Sequence, residues 1–186
     1  ETCLQNYIKR YEKEQHLMML SKLGLQDDKG DADTELFNSL DEQLQVTETD
    51  MTIFYRALAT LDIDAGSMDV TKIKDAFYDL DDFQSNHQES WCAWLEKYQT
   101  RLKLEGRSLE ERKAQMNAVN PKYVMRNYLA QVAIDDAEKG SFNKVKELLD
   151  VMRRPYDEQP QFEQYAKKRP EWARHRPGCS MLSCSS

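Results

Sequence analysis

Asn120-Pro121-Lys122-Tyr123-Val124-Met125-Arg126-Asn127-Tyr128-Leu129-Ala130-Gln131-Val132-Ala133-Ile134 is the stretch whose reading decides the fold class. Val124, Met125, Tyr128, Leu129, Val132 and Ala133 recur at the period of one α-helix face, where a half-buried strand would alternate. Asn120 reads as the N-cap, Pro121 as the first helical residue, and Gly140 as the residue that ends the helix. Ser141 then reads as the cap of a partner helix bearing Val145, Leu148, Leu149 and Met152.

The same punctuation extends outward in both directions. Six glycines (24, 30, 66, 106, 140, 178) and five prolines (121, 155, 160, 170, 177) all fall where a helical pattern starts or stops. The spacing predicts a first helix from about Thr2 to Leu23, with Leu4, Tyr7, Ile8, Tyr11 and Met18 on one face and Gly24 as its left-handed cap. A second begins near Asp33 with Leu36, Phe37, Leu40 and Leu44. A third follows Thr49-Asp50 with Ile53, Phe54, Ala57, Leu58 and Leu61, and a short fourth carries Ile73, Ala76, Phe77 and Leu80.

Trp91, Trp94, Leu95, Tyr98 and Leu102 give the fifth an aromatic stripe that reads as core rather than as a ligand pocket. Ser108-Leu109-Glu110-Glu111 is a capping box. Four of the five prolines lie beyond residue 154, so residues 155–186 read as an extended strap with a short turn around Phe162–Lys168. Its aromatics Tyr156, Phe162, Tyr165 and Trp172 are too much apolar surface for a free linker. No strand pattern and no internal repeat is found. The expected fold is all-α, about seven helices in an irregular bundle over 1–154, followed by the Pro-rich tail.

Composition narrows the function classes. Apolar residues make up 40% and charged residues 32% of the 186, a globular balance. No apolar run approaches the roughly 18 residues of a membrane span, and the Glu1 start has neither an initiator Met nor a signal-peptide pattern. The chain therefore reads as a soluble piece of something longer. Residues 27–89 hold seventeen acids against four bases, a local −13 within an overall −7. Such a half repels phosphates and argues against nucleic acid. Four cysteines, at 3, 92, 179 and 184, are too few and scattered for a disulfide scaffold, and Cys92 among aromatics reads as a small buried apolar residue.

Catalytic patterns are scarce. There is no glycine-rich phosphate loop. Asp62-Ile63-Asp64-Ala65-Gly66 begins like a calcium loop, but its twelfth position is Ile73 where a bidentate Glu belongs. Asp79, Asp81 and Asp82 read as solvated acids at a helix end. His175, Cys179 and Cys184 fit no zinc ligand-pair spacing and lack a fourth ligand. His16 and His87 read as surface histidines without a partner. Cys184 stands apart: it is the third residue from the terminus, where disulfide exchange is easiest, and Arg174 and Arg176 favour its thiolate.

These residues carry a resemblance. Asn120 to Ile134, Ala137-Glu138-Lys139-Gly140, Arg154-Pro155-Tyr156-Asp157-Glu158-Gln159-Pro160, Pro170-Glu171-Trp172 and the terminal Ser183-Cys184-Ser185-Ser186 together resemble the C-terminus of the selenoprotein O family. The match is dense over 120–186. It is looser over 1–105, where it rests on helix order and on Leu20-Ser21-Lys22-Leu23-Gly24-Leu25. The resemblance implies a protein-kinase-like fold that takes ATP in an inverted orientation, with magnesium or manganese, and transfers AMP to hydroxyl side chains of proteins. It places every ATP-, metal- and base-bearing residue upstream, so that no catalytic, cofactor or metal residue is expected in this segment.

The resemblance also assigns Cys184 to the position that is selenocysteine in animal members and that forms a disulfide with a catalytic-region cysteine in others. That partner lies upstream of Glu1, which sets Cys3 aside. Ala173 departs from the family's usual glycine. Arg174–Leu182 departs from its short link to the terminal motif, leaving Cys179 as a competitor of Cys184. The implied partners are the chain's own catalytic region and protein substrates, with no nucleic acid and no membrane. The implied compartment is cytoplasmic for a bacterial source and mitochondrial for a eukaryotic one. The alternative reading is a free-standing helical interaction module that docks through its acidic 27–89 face. A third, a small thiol oxidoreductase built on Cys179 and Cys184, lacks the CxxC spacing.

Overall fold

The computed structural model describes residues 2–66 and 68–179, with side chains from Leu4 onward. All regular structure among them is helical: α1 (Thr2–Lys22), α2 (Asp31–Val46), α3 (Met51–Leu58), α4 (Leu80–Asp82), α5 (Gln88–Lys103), α6 (Leu109–Val119), α7 (Asn127–Glu138) and α8 (Asn143–Met152). A π-turn at Phe83–His87 joins α4 to α5, and short 3-10 turns occupy Val70–Ala76, Pro160–Ala166 and Glu171–Ala173. The chain divides into two compact units, Glu1–Asn120 and Pro121–Ser186.

The first unit is built around α5. Trp91, Leu95 and Tyr98 are buried, and the rings of Phe54 and Phe77 lie 5.3 and 5.2 Å from that of Trp91. Each polar tip of the aromatic stripe has a partner. Trp91 Nε1 donates to Thr47 Oγ1 at 3.2 Å, Trp94 Nε1 to the Leu36 carbonyl at 3.2 Å, and the Tyr98 hydroxyl to the Leu23 carbonyl at 2.7 Å. Burial of large rings with satisfied tips is what a core requires. The stripe is core, as its spacing predicts.

Local caps also form where the residues specify them. Asp50 accepts from the Ile53 N–H at 3.1 Å to open α3, and both hydrogen bonds of the Ser108–Glu111 capping box are present at the start of α6. Gly24 ends α1 at φ +71°, with its N–H on the Ser21 carbonyl and the Leu25 N–H on the Leu20 carbonyl. This is a Schellman pattern, and both Leu20 and Leu25 are buried beneath it. A Cβ on Gly24 would lie 2.9 Å from Arg112 Cγ and from Met116 Cγ and Sδ. Gly24→Ala therefore combines a left-handed backbone with a clash, and should cost about 1–3 kcal/mol of stability, read as a lowered urea midpoint. An unchanged midpoint would show that the α1–α6 contact yields freely.

Asp33, expected to open α2, lies inside it instead. Gly30 occupies the cap position, and the fully buried Asp33 accepts from the Lys29 N–H at 2.7 Å and from Arg101 Nε at 2.6 Å. Arg101 also donates to Glu105 Oε1 at 2.7 Å and to the Asp27 carbonyl. The short fourth helix is two elements. Phe77 is extended and bridges Thr49, with the Asp50 N–H on the Ala76 carbonyl at 2.7 Å and the Tyr78 N–H on the Glu48 carbonyl at 2.9 Å. Those long-range backbone bonds interrupt the helix that the apolar spacing implies.

Asn120-Pro121 does not open a helix; it closes one. Asn120 is the C-cap of α6 in the extended conformation that a following proline favours, and its Nδ2 donates to the Lys22 carbonyl at 2.9 Å. Past Pro121 the Lys122 and Tyr123 N–H groups both donate to the Pro155 carbonyl, at 2.8 and 3.0 Å, so helix α7 begins only at Asn127. Helix α8 begins at Asn143, and Ser141 donates its N–H to Asp136 rather than capping.

The second unit packs α7 and α8 around Tyr123, Leu129, Ala133, Leu148 and Val151. No α-helix follows Met152 among the described residues, and the strap runs through its two 3-10 turns.

Candidate functional site

Cys184, the thiol singled out by its terminal position, lies outside the described residues, as does the side chain of Cys3. What the structure does place is the strap that leads toward Cys184. The face of α7 formed by Tyr128, Gln131 and Asp135, at helical spacing, receives it. Arg176 Nη2 reaches both Asp135 oxygens, at 2.9 and 2.7 Å, and Gln131 Nε2 donates to Asp135 Oδ1 at 2.9 Å. Hydrogen bonds from Gln131 and then from Arg176 hold the Asp135 carboxyl below its ordinary range.

Trp172 stands edge-on to Tyr128, with centroids 6.1 Å apart, and the Arg176 guanidinium lies 5.8 Å from the Trp172 ring. Cys179, the competitor expected from sequence, is only 4% exposed and belongs to the apolar core of the second unit. His175, two residues beyond the last 3-10 turn, is exposed, so it and Cys179 face different surroundings.

The remaining candidates are absorbed by structure. His16 has a partner after all: its Nε2 is 2.9 Å from Asp28 Oδ1, and its ring lies 5.2 Å from that of Phe37. His87 Nε2 is 3.3 Å from Asp82 Oδ2. The first pair ties α1 to the turn before α2, and the second spans the π-turn between α4 and α5. Asp79 caps α4 by accepting the Asp82 N–H at 2.9 Å. The Asp62–Gly66 loop is held by Gln99, whose Nε2 donates to the carbonyls of Ile63 and Ala65 at 2.7 and 2.9 Å. Burial, reinforced by Glu96 and Glu89, pushes the Cys92 thiol up, which disfavours a reactive thiolate. Among the described residues, no group of three or more His, Cys, Asp or Glu is arranged to hold a metal, and no helix is long and apolar enough to cross a membrane.

The other feature that packing leaves open is α1. Leu4 and Tyr7 are each 65% exposed, and Ile8, Tyr11 and Met18 on the same helix are also exposed. Beside it, α1 and α2 enclose a hollow of about 430 Å³ with Met19 and Phe37 on its apolar side and Glu12 and Asp41 on its acidic side. The helical spacing predicts this apolar face; its lack of cover could not be read from spacing.

A family model described as protein adenylyltransferase SelO matches residues 1–153. The chain belongs to the SelO family. The match takes in residues 1–105, where the quoted motifs are sparse. Among curated relatives, the protein nucleotidyltransferase YdiU of Rhodopirellula baltica is 49% identical over 97% of this chain and 35% of its own length. That of an Azoarcus species is 49% identical over 98% of the chain and 34% of its own length. That of Flavobacterium johnsoniae is 42% identical over 100% of the chain and 35% of its own length. The chain thus spans about a third of the length of these SelO-family relatives.

Proposed function

We propose that the chain is the C-terminal helical region of a SelO-type protein adenylyltransferase whose catalytic portion lies outside the 186 residues. In this reading the parent protein is a pseudokinase with a protein-kinase-like fold. It uses ATP, with magnesium or manganese, to adenylylate Ser, Thr or Tyr hydroxyls of other proteins; the hydroxyl oxygen bonds to the α-phosphorus and pyrophosphate leaves. Residues 1–154 supply helical packing and residues 155–186 the strap. Cys184 is a redox thiol that pairs with a cysteine of the catalytic portion. The compartment is the cytoplasm, following the bacterial relatives.

The observation that carries this reading is the uncovered apolar face of α1. Leu4, Tyr7, Ile8, Tyr11 and Met18 recur at helical spacing and stay exposed. Exposed apolar side chains gathered along one helix in this way mark a surface made to be covered, and the matched relatives have nearly two-thirds of their length available to cover it. A free-standing acidic module would instead bury that face against its own helices.

The test is a calorimetric titration of the purified 186-residue chain with ATP and magnesium, beside an AMP-transfer assay of the full-length protein. No binding by the chain, with transfer by the whole protein, is the expected pair of results. ATP binding by the chain alone would overturn the division of roles.

A further inference from the structure

We propose that Asp135 and Arg176 form a latch that seats the strap on α7, sequesters Cys179, and leaves Cys184 as the tail's exchangeable thiol. The part concerning Cys184 rests on the redox reading above; the seating of the strap and the protection of Cys179 stand on contacts within the second unit.

Three independent contacts converge on one face of α7. The Arg176 guanidinium engages both oxygens of Asp135, and Gln131, one turn earlier, orients that carboxylate. One guanidinium nitrogen bridging both oxygens of an ionised carboxylate makes charge-assisted hydrogen bonds, stronger than neutral ones. Trp172 is held between the Tyr128 edge and the Arg176 guanidinium. Gly178, at φ +79°, then brings the backbone against Gln131, since a Cβ there would lie 2.5 Å from Gln131 Oε1. Glycine takes the left-handed turn without strain, and a side chain there would have to displace the Gln131 amide.

The next residue is Cys179, which that turn delivers into the core. Disulfide exchange requires an attacking or attacked sulfur to be reachable in line. A thiol buried in the core of the second unit meets that requirement only when the strap lifts. Lifting is a local opening, and its population is set by the contacts it breaks. The latch therefore decides which of the two tail thiols exchanges, and it removes Cys179 as a competitor.

The experiment is timed alkylation of the reduced full-length protein with iodoacetamide, followed by peptide mass spectrometry. In the folded wild type Cys179 is expected to label far more slowly than in the urea-unfolded protein. Asp135→Asn should raise the Cys179 rate about fivefold, the scale of one partly exposed ion pair, and leave the Cys184 rate unchanged. The charge-swapped pair, Asp135→Arg with Arg176→Asp, should restore the slow labelling, which separates loss of the latch from misfolding. Labelling of Cys179 as fast in the folded wild type as in the unfolded protein, no effect of Asp135→Asn, or no recovery in the swapped pair would each overturn the latch. If Cys184 labels readily but forms no disulfide under diamide, the redox reading fails while the latch stands.

Discussion

Arg101→Met should lower the stability of the first unit by about 3–5 kcal/mol, because it strands two buried carboxylates without their cation. The side chains of Asp33 and Glu105 are 0% and 4% exposed, and Arg101 binds both, at 2.6 and 2.7 Å. It also donates to the Asp27 carbonyl, so the substitution frees a backbone acceptor as well. Removing the whole cluster for apolar residues could be nearly neutral, but removing one member leaves charge in a place water cannot reach. Asp33→Asn should cost less, since a neutral amide strands no anion and its oxygen still accepts from Lys29. Urea unfolding followed by the fluorescence of Trp91 and Trp94 reads both variants. A loss below about 1 kcal/mol for Arg101→Met would place this cluster with ordinary surface ion pairs.

Trp91→Ala should be comparably damaging, about 3–5 kcal/mol, through the cavity it leaves at the centre of the first unit. The side chain is fully buried, with Phe54, Phe77 and Trp94 rings at 5.3, 5.2 and 6.0 Å. Two of these rings, Phe54 and Phe77, come from other parts of the chain, so collapse to fill the space would have to move α3 and the Phe77 segment toward α5 together. The substitution also leaves the Thr47 hydroxyl, in a buried residue, without its indole donor. Trp91→Phe keeps much of the volume and isolates that second effect, about 1–3 kcal/mol. If alanine and phenylalanine cost the same, cavity formation is not what makes this position matter.

The two positions differ in how much of their role was legible. Trp91 could be placed in the core from its spacing to Trp94, Leu95, Tyr98 and Leu102, because a helix face repeats within a few residues. Asp33 could not. The sequence places it only near a helix start, and its partner Arg101 lies 68 residues away. The apolar face of α1 falls between these cases. Its period is local, whereas its exposure depends on what the rest of the chain reaches.

The candidate site shows the same division. Cys184 stands out by its terminal position alone. Cys179 stood as its rival until the strap's path was known, and that path depends on Asp135 meeting Arg176 across 41 residues. Nothing in the local pattern around Cys179 announces burial, since Arg174, His175, Arg176 and Pro177 read as a solvated loop. Gly178 was the one usable signal, a glycine just ahead of a cysteine, and its reason is Gln131 on another element.

By itself the sequence determined that this protein is helical, where most helices lie, and how several of them end. Caps such as Asp50, Ser108 with Glu111, and Gly24 satisfy backbone groups within five residues, so their outcome is written locally. Tertiary structure decided the rest. It turned Asn120-Pro121 from a helix start into a helix stop, because the Pro155 carbonyl accepts the N–H groups of Lys122 and Tyr123. It also sent Cys179 inward and kept the face of α1 open. A buried donor or charge must find a partner wherever the fold supplies one, and when that partner is tens of residues away no local pattern can show it.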